Sequence, residues 1–161
     1  MRALMVAAAL FALAGGKKTE TKAVDPNEAV AKAHGGKVWV QQSPVSEANG
    51  AELQQWLGAH PSQHEVARKG KDAPWSIQFL AVFRKIAPKG PIIVQFSDKK
   101  EPKDVVDLLP LSTEAPTLVF RSNADLDPDK GFNSGHTYLI KVGQILKKQF
   151  VAYATAEFTL K

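Results

Sequence analysis

The sequence predicts an all-β fold, a two-layer antiparallel sandwich of about seven strands with one short helix near residues 50–59. Three observations point to it. Residues 75–83, WSIQFLAVF, repeat with a period of two, which puts Trp75, Ile77, Phe79, Ala81 and Phe83 on one strand face. Further β-rich segments follow, separated by proline, glycine and charged turns. No helical pattern intervenes after residue 60, so the alternation expected of a parallel α/β sheet is absent.

The chain of 161 residues opens with Met1-Arg2 and the apolar run Ala3 to Ala14, ALMVAAALFALA. A bilayer span needs about 20 apolar residues, whereas the apolar part of a signal peptide needs about 7–15 and ends in small side chains. Ala12-Leu13-Ala14 supplies such an ending, so residues 1–14 are expected to be a signal peptide and the protein periplasmic or secreted. Leu13-Ala14-Gly15 is similar to the start of a bacterial lipoprotein box, but Gly16 stands where the acylated cysteine belongs. A membrane anchor would require that residue to be cysteine.

Residues 15–36 are polar, bounded by glycine pairs, and predicted to be a flexible tether. Asp25, Pro26 and Gly35 could start and stop one short helix inside it, without a strong apolar face to hold it down. Residues 37–161 then form one domain.

KVWVQQ, residues 37–42, is the first strand. Asn49 with Glu52 forms a capping pair, and Leu53, Trp56 and Leu57 share a helical face before Pro61 stops the helix. Residues 60–74 are a charged loop. The strand from Trp75 leads to a turn over 85–90, then PIIVQF (91–96), a charged turn over 97–103, and DVVDLL (104–109). Pro110 and Pro116 bracket a link before TLVF (117–120). HTYLIKV (136–142) and the strand from Lys148 to Leu160 flank a hairpin link over 143–147.

The segment 132–142, FNSGHTYLIKV, resembles the tyrosine corner of fibronectin type III and immunoglobulin-like domains. The resemblance implies that Phe132 is an apolar plug, that the Tyr138 hydroxyl bonds backbone a few residues upstream, and that Tyr138, Ile140 and Val142 face the core. The helix at 50–59 departs from that family, as does the lack of a clear core tryptophan in the strand before the central turn. The resemblance implies a fold, and such folds host many roles.

Cysteine is absent, so stability rests on packing alone. The formal charge of +5 is spread over 21 Lys and Arg, with small groups that include Lys99-Lys100 and Lys147-Lys148. Such a surface favours anionic partners and also serves solubility. No basic-aromatic motif points to nucleic acid.

No residue is singled out as catalytic, cofactor-binding or metal-binding. His60 and His64 have the i, i+4 spacing of a helical metal pair, but Pro61 breaks that helix and both are expected in solvent. His34 and His136 are expected to be structural or exposed. Asp125, Asp127 and Asp129 resemble the start of a calcium loop, yet Lys130 and His136 stand where an EF-hand needs Gly and Glu. Trp39, Trp56 and Trp75 could stack sugars but are mainly expected in the core, with the exposure of Trp39 left open. No nucleophile elbow, phosphate loop or dinucleotide fingerprint occurs. The expected function is therefore a non-enzymatic binding or structural module of the envelope or extracellular space with a protein partner, no cofactor and no transmembrane segment. The alternative is a carbohydrate- or calcium-dependent ligand-binding domain.

Overall fold

A computed structural model describes residues 24–161. The expected signal peptide at 1–14 and residues 15–23 of the tether, Gly16 among them, lie outside the described residues. About half of the described residues are strand (51%) and 14% helix, and the sheet is dominated by antiparallel pairs.

The elements in chain order are helix α1 (Glu28–His34), strand β1 (Lys37–Gln41), helix α2 (Gly50–Ala59), and strands β2 (Glu65–Val66), β3 (Trp75–Ala87), β4 (Gly90–Asp98), β5 (Val105–Thr113), β6 (Thr117–Leu126), β7 (Thr137–Leu146) and β8 (Gln149–Leu160). A single 3₁₀ turn, Pro128–Lys130, follows β6. The hydrogen-bonded order is β5-β4-β7-β8-β1-β3-β6, with β2 beside β8. The path is narrowest where β1 meets β8 in parallel at one position, Lys37↔Thr155. At its two far ends, Lys130 after β6 pairs with Asp107 of β5 at 3.2 Å. The sheet is thus rolled nearly into a barrel.

Alternate side chains fill the interior. Trp75, Ile77, Phe79, Ala81 and Phe83 all enter it, as the period of two predicts, together with Ile92, Val94 and Phe96 of β4 and Tyr138, Ile140 and Val142 of β7. Between Phe79 and Phe83 every residue of β3 is buried, because Leu80 and Val82 point the other way and are also covered. The cover is α1 and α2, which bring Val30, Leu53 and Leu57 onto Trp39, Leu80 and Val119. Helix α1 is therefore docked at this end of the expected tether, and Val30 is fully buried. Packing supplies what its seven residues lack in intrinsic helix stability.

Helix α2 spans 50–59 as expected, but Asn49 does not cap it with its side chain. Asn49 Oδ1 instead accepts from Asn27 Nδ2 at 3.2 Å, and Asn27 Oδ1 accepts from the Gly50 amide at 2.9 Å, tying the two helix starts together. Arg121 of β6 holds the preceding loop, donating to the Ser46 carbonyl at 2.6 Å and to the Ala48 carbonyl. Burial lowers the Arg121 pKa from its usual value.

Pro110, expected to end a strand, lies inside β5. Strand β5 is an edge of the sheet, so one side of its backbone needs no partner and a missing amide hydrogen is tolerated. Likewise β6 continues through residues 121–126, where Ala124 and Leu126 alternate into the core between polar neighbours and β3 pairs up to Trp75↔Leu126. No helix among the described residues is long and apolar enough to cross a membrane.

Candidate interaction surface

Antiparallel pairing brings three turns to one end of the rolled sheet: β3–β4 at Pro88-Lys89, β5–β6 at 114–116 and β7–β8 at Lys147-Lys148. The ladders fix this, with Gly90 opposite Thr113 and Ile93 opposite Gly143. The β7–β8 turn has two residues, and both have positive φ, 50° at Lys147 and 68° at Lys148. Those signs are the ones of a type I′ turn, whose twist suits a hairpin and whose preferred residues are Asn and Gly. Lysine in that region costs about 1–2 kcal/mol per residue, since Cβ approaches the backbone oxygen.

Four residues before the turn, a bulge interrupts β7–β8 pairing between Val142 and Gly143. A Cβ at Gly143 would lie 2.0 Å from the Val151 carbonyl oxygen, so the crossing of the two backbones requires glycine. A bulge bends its strand and raises the local twist. Beyond it Ile145 and Leu146 are left 60% and 43% exposed. They face Pro88 of the β3–β4 turn and Pro91 and Ile93 of β4 across an apolar cleft of about 260 Å³. Gln144 closes its base: the amide is buried, donates to the Pro88 carbonyl, and accepts from the Tyr153 hydroxyl.

Charge is segregated to match. Residues 84–97 and 138–156 contain Arg84, Lys85, Lys89, Lys141, Lys147 and Lys148, with no Asp or Glu. The acids at this end are Glu114 in the β5–β6 turn and Glu28, beside Arg84 and Lys85 in a shallow depression with Ile86. Every ion pair among the described residues lies towards the opposite end: Lys99–Glu157, Lys130–Asp107, His136–Asp98 and Lys161–Glu65. The cations of the hairpin end are left without carboxylate partners among those residues.

At the opposite end the chain crosses from β6 to β7. Phe132 is fully buried and meets Phe96 edge-on at 5.7 Å. The buried Tyr138 hydroxyl accepts from the Asn133 amide at 2.7 Å, five residues upstream. Burial raises the Tyr138 pKa above its usual 10. His136 Nδ1 donates to Asp98 Oδ2 at 2.5 Å, and the Lys100 amide donates to Asp98 Oδ1 at 2.9 Å. The His136 bond is the larger reason that the Asp98 carboxyl is held below its ordinary range.

No protein-family model, curated protein or solved structure matches the chain.

The residues singled out in the sequence are dispersed. His60 stacks on Trp56 at 4.8 Å and donates from Nδ1 to its carbonyl, while His64 lies on an exposed loop leading to β2. Asp125 accepts from the Ser76 hydroxyl at 2.7 Å, and Asp127 caps the 3₁₀ turn through the Asp129 amide. Among the described residues no three His, Cys, Asp or Glu side chains gather as a metal site would need. Trp39 is buried beneath the helices, edge-on to His34 at 5.3 Å. Burial is the first reason that the His34 pKa is lowered, and Lys37 adds to it. Trp75 is fully buried, donates to the Lys161 carbonyl at 2.8 Å and carries the Arg68 guanidinium 3.7 Å above its ring. No tryptophan therefore offers an open ring face of the kind a sugar platform needs.

The sequence reading missed the exposed Ile145-Leu146 pair. The signal was present in two apolar residues in succession ahead of Lys147-Lys148, where strict alternation breaks.

Proposed function

We propose that this chain is a non-enzymatic binding module of the cell envelope or extracellular space, built on an immunoglobulin- or fibronectin-like sandwich, and that its hairpin end is the binding face. Three features support the fold reading. If the sheet is divided at the single β1–β8 rung, β1-β3-β6 and β5-β4-β7-β8 become the two antiparallel layers, and β3→β4, β5→β6 and β6→β7 cross between them. With the two-residue β2 set aside, β7 is the sixth strand, and Tyr138 near its start bonds upstream backbone as a tyrosine corner does. The helices over one outer face would be an addition to that plan. The apolar run at 3–14 supports export, to a periplasmic or extracellular location.

The observation that carries the binding reading is the pairing of exposed Ile145 and Leu146 with turn lysines that have no carboxylate partner among the described residues. Isolated exposed apolar residues are ordinary, but a cleft with apolar walls and a basic rim is a recognition feature. The test is retention of the protein on whole envelope material, wall and membranes together. Leu146→Asp should weaken retention by about tenfold or more, a loss of about 1.4 kcal/mol. Lys100→Asp at the opposite end should leave it unchanged, and equal losses from both substitutions would sink the proposal.

A further inference from the structure

We infer that the hairpin end docks on the anionic headgroup surface of a phospholipid bilayer, which rests on the proposed binding face and names its partner. Interfacial binders combine apolar side chains, which enter the boundary between headgroups and acyl chains, with basic residues that meet anionic lipid. Ile145 and Leu146 are the most outward apolar pair at this end, and Lys147 and Lys148 follow them directly. Lys89 rises from the adjoining turn, across the cleft.

The type of cation favours a lipid surface over an acidic protein segment. A fixed carboxylate is best held by the planar fork of arginine, whereas lysine is a mobile point charge on a flexible stem. The turn cations here are lysines, and a fluid layer of headgroups needs no fixed register.

The backbone adds an independent observation. Asn-Gly would relieve the positive φ at 147 and 148, yet lysine occupies both positions. Residues held in sparsely populated conformations gather at functional sites, and here two cations are held at the tip of the hairpin.

The same turn supplies a fold-safe test. Lys147→Asn with Lys148→Gly removes two charges while installing the residues that a type I′ turn prefers. The full chain and this variant are sedimented with vesicles of phosphatidylglycerol mixed with phosphatidylcholine, and with phosphatidylcholine alone. Any binding by residues 1–14 is common to both proteins, so the difference between them reads the hairpin. The variant should bind the anionic vesicles about 25-fold more weakly, at about fivefold per lysine, while its thermal midpoint rises. Ile145→Ser with Leu146→Ser should also weaken binding, Lys99→Ser with Lys100→Ser should not, and 1 M salt should erase the preference for anionic lipid.

Equal binding of the wild type to both vesicle types, or of the turn variant and the wild type to anionic vesicles, would overturn the inference. Binding of soluble polyglutamate through Lys147 and Lys148, without vesicle binding, would also overturn it and assign the end to an acidic protein partner. The proposed binding face would survive that last result, whereas it would fall with the inference if hairpin variants lost neither ligand.

Discussion

Gln144 reaches from the β7–β8 hairpin to the β3–β4 connection and donates from Nε2 to the Pro88 carbonyl at 3.1 Å. Its Oε1 accepts from Tyr153, so one buried amide is satisfied at both ends and fixes the spacing of the cleft walls. Gln144→Leu keeps most of the volume but leaves the Tyr153 hydroxyl and the Pro88 carbonyl without that partner. A loss of about 1–2 kcal/mol is expected, measured by urea unfolding, since orphaned polar groups cost more than a satisfied bond contributes. An unchanged midpoint would mean that water replaces the amide freely.

Gly143 sets the direction of the same hairpin. Its α-hydrogen faces the Val151 carbonyl, and a methyl group there would sit 2.0 Å from that oxygen. Gly143→Ala should cost about 3 kcal/mol, because two paired backbones must separate to admit one carbon. Gly58, exposed on the outer side of α2 with nothing near its Cβ position, is the contrast: Gly58→Ala should stabilise by about 0.5–1 kcal/mol through helix propensity. Thermal unfolding of the two variants should move in opposite directions.

These sites differ in how far the sequence announced them. The period of two in residues 75–83 revealed a strand and its inner face, because alternation is the direct image of a pleated strand. It could not reveal that Leu80 and Val82 are buried as well, since that depends on helices distant in sequence. Asn49 had the residue type and position of a cap, yet a long-range bond from Asn27 claimed its oxygen. Pro110 looked like a strand end because a proline's meaning depends on whether its strand lies at an edge, which only topology decides. The candidate surface was least legible: Lys147-Lys148 carries no turn signature, and the β7–β8 turn becomes a binding face only when Pro88 and Pro91 are brought beside it.

Tyr138 is the element the sequence located best. Its hydroxyl accepts from the Asn133 amide at 2.7 Å, and its ring meets that of Phe132 at 5.0 Å. Tyr138→Phe retains the ring and removes only the hydroxyl, which accepts from Asn133 and makes a long donation to the Gly131 carbonyl at 3.4 Å, so the expected loss is about 1 kcal/mol, read from urea unfolding. Phe132→Ala opens a cavity at a fully buried position and should cost about 3–5 kcal/mol. If Tyr138→Phe proved as damaging as Phe132→Ala, the hydroxyl would hold the β6–β7 crossover more tightly than one hydrogen bond explains.

Asp98 gives the fold a pH dependence whose sign follows from its partners. The His136 Nδ1 hydrogen bond, then the Lys100 amide, holds its carboxyl below the ordinary 3.8, while partial burial opposes them more weakly. The folded state thus binds this proton less readily than the unfolded chain does. The contribution to stability is complete above the unfolded value near pH 4 and is lost as pH falls through the lowered folded value. Asp98→Asn cannot titrate at this position, so it should be less stable than wild type at neutral pH, and the gap should close on acidification. Urea midpoints of both proteins from neutral pH down to about pH 2 measure that gap directly. Parallel curves across the range would show that the bond to His136 adds no stability that depends on the Asp98 charge.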